Sequence, residues 1–142
     1  MSVSTAYELA VLLDTSAVIA LHDPAEPRHA EARRFFVSSD HLLYCLDVTS
    51  HECFTRVRYA SSYTKAREHF DFLRENTRVK LLRLEASDET NALRLLEKYA
   101  EHALSFHDAL CAAVMLRLGI PNIFSLDDDF SILGFVVYPY PT

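Results

Sequence analysis

Five short apolar runs punctuate the chain: VLL at 11–13, LLYCL at 42–46, KLLRL at 80–84, NIFSL at 122–126 and FVVYPY at 135–140. Each has the length of a strand. The stretches between them carry the three-to-four-residue apolar spacing of helices: SAVIAL (16–21), HAEARRFFVSS (29–39), TSHECFTRVRYA (49–60), SYTKAREHFDFLREN (62–76), SDETNALRLLEKYAEH (87–102) and SFHDALCAAVMLRLG (105–119). Strands alternating with helices of this length favour βαβ units. The expected class is therefore α/β, with a mostly parallel central sheet of about five strands and helices on both faces. Ser16 is the expected N-cap of the first helix. Gly119, with Pro121 beyond it, should close the most apolar one. A length of 142 residues gives one core, so 1–142 reads as a single domain without repeat or linker.

In parallel sheets sites form beyond the carboxyl ends of the strands. Asp14 ends the first apolar run, and Asp127 follows NIFSL by one residue. If their strands are neighbours, both carboxylates lie on one sheet edge. Two helices supply further acids. Thr49-Ser50-His51-Glu52 and Ser105-Phe106-His107-Asp108 both place an acid three residues after a hydroxyl. That is the capping-box pattern, which leaves two readings for each acid, a cap alone or a cap that is also a site residue. Capping and ion binding are also compatible, because a carboxylate has two oxygens and about four lone-pair sites.

Four carboxylates converging on one cleft raise one another's pKa unless cations neutralise them. An all-oxygen set suits a hard ion, Mg²⁺ or Mn²⁺, one or two per site. Such ions acidify a bound water and orient a phosphate, so the set points to phosphoryl chemistry. Net charge does not forbid a nucleic-acid substrate. The formal −6 becomes −2 when two divalent ions add +4. The acidity is also uneven: residues 81–142 carry four Lys+Arg against nine Asp+Glu, and residues 24–80 carry ten against eight.

Cys45, Cys53 and Cys111 are odd in number, lack CxxC spacing and sit among apolar neighbours, as buried thiols of a reducing compartment do. No window approaches a membrane span, and MSVSTAYELA lacks the basic region of a signal peptide. A cytoplasmic protein with no membrane partner is expected.

LLDTSAVIAL at 12–21, Glu52, and SFHDALCAAVMLRLGIPNIFSLDDDFSILGF at 105–135 together resemble the PIN-domain ribonucleases, and within them the VapC toxins of toxin–antitoxin pairs. The likeness runs over nearly the whole chain, and its specific parts are the two ends. It implies a PIN-like fold with Asp14, Glu52, Asp108 and Asp127 as the metal-binding, catalytic acids. It places Ser16 and Ser125 where hydroxyls support the site, and Asp129 at a second acid of the last motif, either ligand or support. His29 and Ala32 match a structural H-x-x-A. Ser125 replaces a commoner Thr, and Asp128 adds a charge where the family varies. The resemblance further implies Mg²⁺- or Mn²⁺-dependent hydrolysis of RNA leaving a 5′-phosphate and a 3′-hydroxyl, homodimerisation, and inhibition by a cognate antitoxin.

His51 and His107 precede two of the acids but point about 100° away from them, so surface or capping contacts are expected. Arg56 lies four residues after Glu52, where it either pairs with that acid or meets a phosphate. Arg28, Arg33, Arg34, Arg58, Lys65 and Arg67 either track an RNA backbone or form a solvated face. Tyr59, Tyr63, Phe70 and Phe72 read as core or dimer contacts, and the tyrosines of VVYPYPT as candidates for a partner. Two competing functions remain: a PIN-fold binding module without catalysis, and a PIN nuclease of RNA processing. An aspartyl phosphatase is disfavoured, because Asp14-Thr15-Ser16 lacks a second acid two residues on.

Overall fold

The computed structural model describes residues 9–139; Tyr140 of the terminal run and the outer ends of the 1–142 domain lie outside them. Five strands, β1 (Ala10–Leu13), β2 (Leu42–Leu46), β3 (Val79–Leu82), β4 (Asn122–Phe124) and β5 (Val136–Tyr138), form one sheet in the order β3-β2-β1-β4-β5. All four pairings are parallel. The chain builds outward from β1 to β3, then crosses to the other side of β1 for β4 and β5. Leu12 therefore sits between Tyr44 and Ile123. That reversal of direction leaves a crevice at the carboxyl end of β1.

Residues of β1 alternate between the two faces, as the pleat requires. Val11 and Leu13 join Val18, Leu43, Cys45, Cys53, Leu73 and Phe124 under α1 (Thr15–His22), α2 (His29–Ser38), α3 (Asp47–Ala60) and α4 (Tyr63–Glu75). Ala10 and Leu12 join Leu46, Val114, Met115, Ile123 and Phe130 under α6 (Phe106–Leu118) and the short α7 (Asp129–Ile132). The α5 helix (Ala86–Lys98) packs on α6 through Ala92, Ala109 and Ala113. Gly119 takes the left-handed conformation, φ 73°, and closes α6 as expected.

Three helix starts differ from the sequence reading. Asp14, not Ser16, is the N-cap residue of α1. Helix α5 starts at Ala86 behind Glu85 rather than at Ser87. Helix α3 begins at Asp47, directly on the end of β2, and the Asp47 carboxylate takes the Val48 N–H at 2.8 Å. Thr49 and Glu52 thus form no capping box. Thr49 is buried in the first turn, and Glu52 lies in the second. Strand β4 also ends at Phe124, two residues early, which releases Ser125 and Leu126 into the site loop.

Candidate functional site

Asp14 leaves β1 at the centre of the sheet and is held there by its backbone, whose N–H donates to the Phe124 carbonyl at 2.9 Å. Its side chain is equally fixed. Oδ2 accepts hydrogen bonds from Ser125 Oγ at 2.8 Å and from Ser16 Oγ at 3.1 Å. Both hydroxyls also accept from the loop after β4, Ser125 from the Asp127 N–H and Ser16 from the Leu126 N–H, each at 3.0 Å. The two serines therefore join Asp14 to the segment that carries the aspartate run.

Within that run Asp127 Oδ1 accepts the Asp129 N–H at 3.0 Å and sets the first turn of α7. Phe130 follows, fully buried, and anchors the turn. Asp128 is exposed. Asp108 enters from α6 through the capping box read from the sequence. Its carboxylate accepts the Ser105 N–H at 3.1 Å, and Ser105 Oγ accepts the Asp108 N–H at 3.0 Å.

Asp108, Asp127 and Asp129 each bring one oxygen within 4.8 Å of the other two. Burial, reinforced by Asp14 and Asp127 against the two Ser105 hydrogen bonds, raises the pKa of Asp108. Partial burial and the adjacent Asp127 raise that of Asp129. Oxygen donors that repel one another in this way are the donor set a hard divalent cation neutralises. The residues present fit Mg²⁺ or Mn²⁺.

Glu52 stands to one side of this trio. It accepts from Thr15 Oγ1 at 2.9 Å. Between Glu52 and Asp14 stands His107, whose Nδ1 is 3.4 Å from Glu52 and 3.7 Å from Asp14. Its Nε2 meets Thr49 Oγ1 at 2.7 Å. His107 is thus a site residue, although its place beside Asp108 on a helix argued for a surface or capping contact. The partners that hold it, on α3 and at the head of α1, are remote in sequence. Asp14, His107 and Cys111 also cluster, and burial pushes the Cys111 thiol well above its ordinary value. His51 is exposed and outside it.

Arg56 forms no ion pair with Glu52 among the described residues. It borders a cavity of about 360 Å³ between α1, α3 and α4, together with Ile19, His22 and His69. His29 is structural: its Nδ1 meets the Ala20 carbonyl at 2.6 Å and ties α2 to α1.

A family model described as PIN domain matches residues 11–136. The chain is 30% identical over 126 residues to the 23S rRNA-specific endonuclease VapC20 of Mycobacterium tuberculosis, covering 89% of this chain and 95% of the relative. The crystal structure of that sarcin-ricin loop cleaving toxin superimposes with a TM-score of 0.83 and 29% identity, over 89% of this chain and 96% of the other. A toxin-antitoxin complex from Klebsiella pneumoniae shares the fold at a TM-score of 0.69 and 16% identity, over 93% and 99%.

Proposed function

This chain belongs to the PIN-domain family, and from that membership we propose that it is a Mg²⁺- or Mn²⁺-dependent endoribonuclease, the toxin of a toxin–antitoxin pair. The observation that carries the reading is the gathering of Asp108, Asp127 and Asp129, within electrostatic reach of Asp14, where the strand order switches to the other side of β1. Relatives of this length and identity named as an RNA endonuclease and as a toxin support it. Large ribosomal RNA heads the substrates to test.

Asp14, Asp108, Asp127 and Glu52 would hold one or two ions, with Asp129 joining or supporting them. The chemistry such an ion would supply there is a water of lowered pKa and neutralisation of charge on the scissile phosphate. Ser125 and Ser16 orient Asp14 and lock the Asp127 loop against it. Thr15 and His107 hold Glu52 in its rotamer. The capping bonds of Ser105 direct Asp108 into the cluster. The protein acts in the cytoplasm as a homodimer and is silenced by a cognate antitoxin.

The test is cleavage of a labelled RNA panel that includes 23S rRNA, with Mg²⁺ or Mn²⁺, by wild type and Asp14→Asn. Wild type should cut and the variant should not. Equal activity, or cutting that persists in excess EDTA, overturns the proposal.

A further inference from the structure

From Cys53 to Arg67 the chain holds four cations, Arg56, Arg58, Lys65 and Arg67, and no acid, in a protein of net charge −6. This is the end of α3, the turn and the start of α4. Arg67 is engaged by Asp71 at 3.0 Å. Arg58 lies over the Tyr63 ring, 5.6 Å from its centroid, and Tyr63 packs edge-on against Phe54. Tyr59 differs. It is 85% exposed, more than any other large apolar or aromatic side chain described, and no ring among the described residues stacks on it.

Helical geometry joins this ring to the acids. Glu52, Arg56 and Tyr59 stand at i, i+4 and i+7 and share a sector of about 60° on α3. A rise of 1.5 Å per residue sets Tyr59 about 10 Å along the axis from Glu52. One helix face therefore leads from the carboxylates, past a guanidinium that Glu52 leaves unpaired, to an uncovered aromatic ring.

We propose that this face is an RNA-holding arm, in which Arg56 binds a backbone phosphate beside the acidic cluster and Tyr59 stacks on an unpaired base farther along the same strand. The inference rests on the nuclease reading above. Asp23, Glu26 and Glu68 line the cavity that Arg56 and Lys65 border, but Arg56 forms no ion pair with any of them among the described residues, and a guanidinium beside the acidic cluster matches a backbone phosphate. A solitary ring beside arginines matches a base face. The strand is unpaired, because an A-form duplex keeps its base faces stacked.

The experiment measures anisotropy of a labelled, unstructured oligoribonucleotide with the full chain carrying Asp14→Asn, so that nothing turns over. Adding Tyr59→Ala should weaken binding about fivefold or more, while Tyr59→Phe binds like the parent. Arg56→Ala should weaken binding and lower the salt slope by about 0.7. Annealing the complement to the oligonucleotide should weaken binding to every form. In the otherwise wild-type enzyme Tyr59→Ala should raise KM and leave kcat nearly unchanged. Unaltered RNA affinity in Tyr59→Ala overturns the arm, including the case where that change instead releases a protein partner. If wild type cleaves RNA and Tyr59→Ala cleaves equally well, only the arm fails; if wild type cleaves no RNA, the nuclease reading fails.

Discussion

Ser125 donates to Asp14 across 111 residues of sequence, at 2.8 Å, and takes the Asp127 N–H on the same oxygen. One hydroxyl thus fixes two acids at once. Ser125→Ala should cut metal-dependent cleavage about 10- to 100-fold, the usual effect of losing a group that orients a ligand. Ser125→Thr, which keeps the hydroxyl, should retain most of it. Thermal melting should show both variants folded.

The three consecutive aspartates should separate by function. Asp127→Ala removes an oxygen from the cluster and the bond that starts α7, and it should abolish cleavage and calorimetric Mn²⁺ binding. Asp128→Ala, on an exposed side chain, should leave both within about twofold of wild type.

Away from the site, Asp88 is wholly buried and held by Arg117 at 2.8 and 2.9 Å and by the Glu85 N–H at 2.8 Å. Burial alone raises its pKa, but these bonds outweigh it and pull Asp88 below its ordinary 3.8. Its contribution to stability is present above pH 3.8 and is lost as pH falls through the lower folded value. Arg117→Ala should cost about 3 kcal/mol in urea unfolding, the low end for a broken buried pair. A loss below about 1 kcal/mol would contradict the account.

His22 should dominate a milder transition. Burial, aided by the charges of His69, Arg33 and His29, lowers its pKa from 6.5 to about 4. The folded state holds it neutral, so the unfolded chain binds more protons between those values. Stability should therefore decline as pH falls from 6.5 towards 4, and His22→Phe should flatten that part of the melting-temperature profile.

Much of this architecture was legible because it is written locally. Five apolar runs became five strands, the Ser105–Asp108 box formed as read, and Gly119 ended its helix. Asp14 and Asp127 lie on the same sheet edge because β1 and β4 are neighbours, but Asp127 follows the end of β4 by three residues and is linked to Asp14 through Ser125. Glu52 was expected as a site acid at the opening of its helix, and the structure places it in the second turn, since nothing in LDVTS shows that β2 runs into α3 without a loop. His107 was the least legible. Its role comes from Thr49, 58 residues away, and from Asp14 and Glu52, none of which a helical wheel reveals.

The placement of the acids has a consequence for the timing of synthesis. Strand β1 gains its second neighbour only when β4 arrives, and Asp127 and Asp129 follow β4 in the chain. A ribosome building this protein carries Asp14, Glu52 and Asp108 without the loop that completes them until residues past 129 have left the exit tunnel. Domains fold as units as they emerge. The acidic cluster therefore does not exist on the growing chain and is assembled only with the finished fold.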